Sequence, residues 1–167
     1  LAREFGITRG EQDGLALESH RRAARAWQEG RLAPEVVPVP LPPRYDAVAE
    51  RDNGYRENQS LEALAKLRPL FDTRYGSVTA GNASQITDGA AAVVLASAEK
   101  ARAIGARPLG RIRSWAFAAC DPARMGLGPV FATPLALERA GIGLRQVDLV
   151  EINEAFAAQV LACVTAL

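Results

Sequence analysis

The chain has 167 residues, 49% of them hydrophobic and 23% charged, with a formal net charge of +1. Such a composition suits one ordinary globular domain and excludes a disordered segment, a nucleic-acid surface and a polybasic membrane contact. The longest apolar run, residues 90–98, is mostly alanine and far too short to cross a bilayer; it reads as a buried strand.

Thr8 and Glu11 have the capping-box spacing, and the segment after them, to about Gly30, has the pattern of an amphipathic helix. Ala16, His20, Ala23 and Trp27 mark its inward face, Glu18, Arg21, Arg22 and Arg25 the outward one, and Gly30 is the residue that ends it. His20 reads as a packed, hydrogen-bonded core histidine. Residues 34–43 hold five prolines among Val36, Val37, Val39 and Leu41, which confines them to an edge strand or an extended surface segment. A charged loop, residues 46–59, leads to a short helix over residues 61–66, with Pro69 just beyond it. Strands are expected at residues 89–95, 111–119 and 147–152. Between them lie a helix capped by Ser97 and ending at Gly105, and another entered through Thr133 and Pro134 and closed by Gly141. Asn153 is expected to open the last helix. This alternation of strand and helix predicts an α/β fold with sheets covered by helices.

Cys120 and Cys163, with a single histidine in the chain, have no metal-site spacing, so no metal is expected. They read as small buried hydrophobes in a reduced compartment, and no targeting motif is visible, so a cytoplasmic location is expected. The chain starts without Met and stops inside a helical pattern, as an internal slice of a longer protein would.

Two segments carry chemistry. Asn153-Glu154-Ala155-Phe156-Ala157-Ala158-Gln159 follows a predicted strand, where α/β enzymes place their sites. Asn153 is either a helix N-cap or an amide that holds a water or substrate oxygen. Glu154 is either a base or a complement to the helix dipole. The second segment, residues 78–92, is dense in small residues, which allow a ligand or another segment close to the backbone. Gly81, Asn82 and Asp88 also suit a tight turn. The run lacks the lysine and glycine spacing of a phosphate loop.

Together with Lys66-Leu67-Arg68-Pro69 and Phe71, and with Met125-Gly126-Leu127-Gly128-Pro129, these segments resemble the thiolase family, with its motifs in order along the whole chain. The resemblance implies a thiolase-like layered fold of helices and mixed sheets. Residues 1–87 would end a loop domain, 88–107 would complete the N-terminal half, and 108–167 would begin the C-terminal half. It also implies an acetyl-CoA C-acyltransferase that cleaves 3-ketoacyl-CoA, or condenses in reverse, through a cysteine acyl-enzyme. Asn153 matches the family's asparagine that holds an oxyanion-hole water, and its histidine partner lies outside this chain. Arg56 matches an arginine near the CoA nucleotide, Ser84 a serine on the pantetheine arm, and Ala80 the same wall. Phe71, Met125 and Phe156 match apolar positions of that tunnel, although core packing would explain them too.

CoA is then a substrate and no cofactor is implied. Acyl-CoA and CoA are the expected partners, with a homo-oligomer and a hydratase/dehydrogenase subunit beside it, and no nucleic acid or transmembrane segment. Asp52-Asn53-Gly54-Tyr55-Arg56, Tyr75-Gly76-Ser77-Val78 and Arg113-Ser114-Trp115-Ala116-Phe117 look like the thiolase subunit of the fatty-acid β-oxidation multienzyme complex. That subgroup usually carries His where Asn153 stands; both side chains donate hydrogen bonds. The nucleophilic cysteine, a Gly-His-Pro segment and a second cysteine are expected outside residues 1–167. An inactive acyl-CoA-binding relative and a ketosynthase-type relative are the alternatives.

Overall fold

The computed structural model describes residues 1–167, which divide into two units, Leu1–Gln85 with Asn153–Leu167, and Ile86–Ile152. In the first, helix α1 (Arg9–Gln28) starts from the predicted capping box. The Thr8 hydroxyl accepts the Glu11 N–H at 3.2 Å, and the Glu11 carboxylate accepts the Thr8 N–H at 2.7 Å. Gly30, just past its end, has φ +69°, the left-handed conformation that suits glycine. The buried face differs from expectation. Gln12, Asp13, Leu17 and Ala24 are buried, while Ala16, His20, Ala23 and Trp27 flank that stripe half-buried. Buried Gln12 and Asp13 find polar partners across the unit, so a hydrophobicity pattern alone puts the stripe in the wrong place.

The proline-rich segment forms β1 (Val39–Pro40), which pairs antiparallel with β2 (Val48–Ala49) in an exposed two-stranded ladder. Helix α2 (Leu61–Ala65) is capped by the Ser60 hydroxyl, which accepts the Ala63 N–H at 3.1 Å. Arg9 meets its C-terminal end, its Nη2 donating to the carbonyl of Leu64 in the last turn at 2.6 Å and to that of Leu67 just beyond the helix at 3.1 Å. Leu64, fully buried at 0% exposure, locks α2 against the unit's core, a burial that stabilises by about 1.5–3 kcal/mol.

In the second unit Ser97 caps α3 (Ala98–Ala103) as expected, accepting the Lys100 N–H at 3.0 Å, and Gly105 follows with φ +66°. Helix α4 (Gly128–Ala140) starts earlier than Thr133 and Pro134 suggest. Asp121 caps a 3-10 turn, Pro122–Leu127, that runs straight into α4 with Pro129 in its first turn, so Pro134 lies inside the helix. Gly141, φ +68°, closes it as predicted.

The strands expected at residues 89–95, 111–119 and 147–152 are not paired in this chain. Nor is the run at 90–98 buried: Val93 is 83% and Val94 97% exposed. A strand is completed by neighbours distant in sequence, and its apolar pattern predicts the element without supplying them. Residues 111–119 keep a strand's period of two. Ser114, Ala116 and Ala118 are half-buried and the residues between them exposed. This segment docks on α4, with the Ser114 hydroxyl donating to the Ala136 carbonyl at 2.7 Å and Arg139 Nη1 to the Trp115 carbonyl at 2.6 Å.

Candidate functional site

The small-residue run and the Asn153 turn meet in the first unit. Asn82 shapes a tight turn: its Oδ1 accepts the Thr79 N–H at 2.8 Å, and its Nδ2 donates to Asp13 Oδ1 at 2.9 Å and the Ser77 carbonyl at 3.0 Å. The turn passes so close to α2 that a Cβ at Gly81 would stand 2.5 Å from a Leu64 methyl and 2.6 Å from a Leu67 methyl. Glycine is required there by close approach. Beyond it the Ser84 N–H donates to the Ala155 carbonyl and the Ala157 N–H to the Asn82 carbonyl, both at 2.9 Å, and Ala83 bridges to Phe156.

These main-chain bonds correct the reading of Asn153. Helix α5 (Ala157–Ala166) has Phe156 at its N-cap with no side-chain cap, and its first N–H is satisfied by the Asn82 carbonyl. Asn153 therefore stands ahead of the helix, exposed, and caps nothing. Glu154 is outside the first turn as well. Its carboxylate accepts the Ser19 hydroxyl from α1 instead of complementing the helix dipole.

Phe71 and Phe156 share one apolar cavity of about 430 Å³, with Tyr75, Val78, Ala158 and Gln159. Within residues 1–167 Phe71 is 80% exposed and Phe156 is half-buried. Gln159 Oε1 is buried without a partner. Asp72 lines the same cavity, and the Tyr75 N–H, followed by Arg3, holds its carboxyl below the usual range. Ala80 and Ser84 are exposed, and the Ser84 hydroxyl donates to the Gln85 carbonyl at 3.2 Å. Met125 belongs to the other unit, where it is 74% exposed within residues 1–167, in the turn ahead of α4.

Arg56 is exposed on the loop between β2 and α2, and its N–H donates to His20 Nδ1 at 3.2 Å. Burial, and then the Arg56 charge, push the His20 imidazole below its ordinary value, with Glu154 opposing. His20 is thus half-buried and tied to a loop instead of packed in a core. The sequence reading missed this bond and the Asp13–Asn82 bond. The partners are 36 and 69 positions apart, and no local pattern signals them. Of the two cysteines, Cys163 is fully buried and accepts from Gln159 Nε2 at 3.6 Å, and Cys120 is half-buried; neither is in a disulfide.

The chain matches the family model for the thiolase N-terminal domain over residues 1–99 and that for the thiolase C-terminal domain over residues 106–167. It is 53% identical over 163 residues to a 3-ketoacyl-CoA thiolase of Yersinia enterocolitica, covering 97% of this chain and 37% of that protein. Among solved structures it is similar to the Bacillus anthracis acetyl-CoA acetyltransferase (TM-score 0.94, 44% identity, 98% of this chain and 42% of the other). It is also similar to human mitochondrial 3-ketoacyl-CoA thiolase in complex with CoA (TM-score 0.91, 41% identity, 99% and 41%). The chain spans 37% of the length of the curated relatives it matches. The strand and helix segments follow a thiolase-like α/β fold, and the chain belongs to the thiolase family.

Proposed function

We propose that the protein carrying this chain is a thiolase-type acyltransferase. It cleaves a 3-ketoacyl-CoA with CoA to acetyl-CoA and a shortened acyl-CoA, or condenses in reverse. A cysteine thiolate from outside residues 1–167 attacks the 3-keto carbon, and the carbon–carbon bond breaks. The electron pair leaves on the acetyl-CoA fragment as an enolate, which a general acid protonates. The sulfur of a second CoA then takes the acyl group and its proton passes to a base. Asn153 holds a water that donates to a thioester oxyanion, with a histidine from outside the chain as its partner. Arg56 meets the CoA nucleotide, where a guanidinium both stacks and pairs with phosphate. Ser84 and Ala80 flank the pantetheine arm, and Phe71 and Phe156 line its apolar path; Met125 is a further apolar candidate by its family motif alone.

One observation carries this reading. Main-chain hydrogen bonds at 2.9 Å join the Ala80–Ser84 wall to the Asn153 turn, while the Asn153 amide itself is left exposed and unbonded. An amide free of structural duty, held at a fixed place beside a wall of small residues, suits a substrate-facing donor. The names of the relatives, and the CoA bound to the human thiolase, agree with it.

On this reading residues 1–87 end a loop domain, 88–107 complete the first half and 108–167 open the second. CoA serves as substrate with no cofactor. A homo-oligomer beside a hydratase/dehydrogenase subunit, in fatty-acid β-oxidation, accords with the subgroup motifs. A cytoplasmic setting fits two cysteines that form no disulfide, and no helix is long and apolar enough to cross a membrane. The test is to clone the reading frame with its flanks and mix the purified protein with acetoacetyl-CoA and CoA. Loss of the keto thioester with matching acetyl-CoA is expected. Binding of CoA without cleavage overturns the catalytic reading and leaves a binding protein.

A further inference from the structure

We propose that His20 is a positioning residue for the nucleotide end of a CoA ligand, acting through the backbone of Arg56. This role presupposes the reading that Arg56 meets that end, and deepens it by saying what holds Arg56 in place. An arginine on an unheld loop gives little binding, because loop and side chain both lose freedom when the ligand arrives. Residues 51–57 contain no helix and no paired strand, so whatever fixes them comes from elsewhere in the unit.

Three outside contacts do so. The Arg51 guanidinium lies over the Trp27 ring of α1 at 5.2 Å, and over the loop's own Tyr55 at 5.6 Å. The Gly54 carbonyl accepts Gln85 Nε2 at 2.7 Å, which ties the loop to the residue next to Ser84. The Arg56 N–H donates to His20 Nδ1 at 3.2 Å, and this contact acts on residue 56 itself. Accepting there puts the imidazole proton on Nε2 and keeps the ring neutral, since a protonated ring would present N–H to N–H. His20 and Trp27 stand on one helix, so α1 grips the loop at both ends. Ser19, the neighbour of His20, holds Glu154 beside Asn153. Two adjacent residues of α1 thereby set the nucleotide loop and the oxyanion turn in a common frame.

The test uses the complete protein as wild type, His20→Ala, His20→Asn and Arg56→Ala, with two substrates. These are acetoacetyl-CoA and acetoacetyl-N-acetylcysteamine, which presents the reacting thioester without the nucleotide. In His20→Ala the KM for acetoacetyl-CoA rises about five- to ten-fold, the scale of one lost hydrogen bond. The KM for the short thioester moves by less than about two-fold. His20→Asn, whose Oδ1 accepts where Nδ1 did, restores the CoA value, and adding His20→Ala to Arg56→Ala brings no further rise. A purely structural histidine would shift both substrates together, and that result overturns the proposal. If the wild type cleaves neither thioester, the thiolase reading falls, and hydrogen exchange at the Arg56 amide still decides the role of His20. Slow exchange in wild type and His20→Asn with fast exchange in His20→Ala supports the grip; equal rates in all three overturn it.

Discussion

Asn153 is exposed, bonded to nothing, and stands ahead of the α5 N-terminus, whose first N–H goes to the Asn82 carbonyl. Removing its amide therefore breaks no cap and no fold contact. For Asn153→Ala we predict a stability change within about ±0.5 kcal/mol, the range for surface positions. A fall in kcat of roughly 10²–10³ accompanies it, the cost of one oxyanion donor. Asn153→His keeps most of the activity because imidazole also donates. Thermal melts and steady-state kinetics on the complete protein check this, and a melt lowered in step with kcat would make the residue structural. His20 gives the pH arm. Burial and then the Arg56 charge depress its pKa, with Glu154 partly opposing, so the folded ring binds protons less readily than the ordinary value of 6.5. The Arg56 grip is fully present above that value and is lost as pH falls through the lowered folded pKa. The KM for a CoA thioester should rise over that window in wild type and stay flat in His20→Asn, which has no group to titrate there.

At the scale of elements, α1 organises the first unit by what its side chains hold. Along it, Arg9 meets the C-terminal end of α2, Asp13 holds the Asn82 turn, Ser19 holds Glu154, and His20 holds Arg56. Asp13 is 3% exposed and takes Arg9 Nε on both oxygens, at 2.8 and 2.9 Å, besides the Asn82 amide. Asp13→Ala takes the counter-ion from Arg9, which keeps the Leu64 and Leu67 carbonyls, and one of two acceptors from the Asn82 amide, so we predict a loss of about 1–3 kcal/mol. It should read as a lower urea midpoint for the complete protein, and a midpoint within error of wild type would show that the pair is dispensable.

What was legible in the sequence follows from range. The caps at Thr8 and Ser97 and the glycine stops at Gly30, Gly105 and Gly141 were readable because each acts within a few residues. The small-residue run announced a close approach, which Gly81 makes against Leu64 and Leu67. The N-terminus of α4 was misplaced because Pro134 looked like a helix start, while Asp121 and Pro129 supply one earlier. Asn153 looked like a cap for the same reason, since a carbonyl 75 positions away in the chain cannot be seen locally. The candidate residues were legible only through the family's motifs, and the grips that orient them were not.

At the scale of the whole chain, the unpaired segments of the second unit decide the behaviour of residues 1–167 on their own. Val93, Val94, Leu95, Ile112, Phe117 and Leu149 are each at least 64% exposed along stretches with strand-like sequence. Side chains of this size gain about 1.5–3 kcal/mol each on burial, and their backbone groups can still accept ladder partners. Apolar stretches with open edges pair with whatever strand they meet. The curated relatives are longer, the chain spanning 37% of their length, so a complete protein has more chain with which to cover them. We therefore predict that residues 1–167 expressed alone self-associate and bind an apolar dye, whereas the complete protein stays dispersed and binds little. Size-exclusion chromatography with light scattering separates the two. A monomeric peak with a cooperative melt for the isolated chain would mean that these stretches find partners among themselves, and the need for further chain would fall with it.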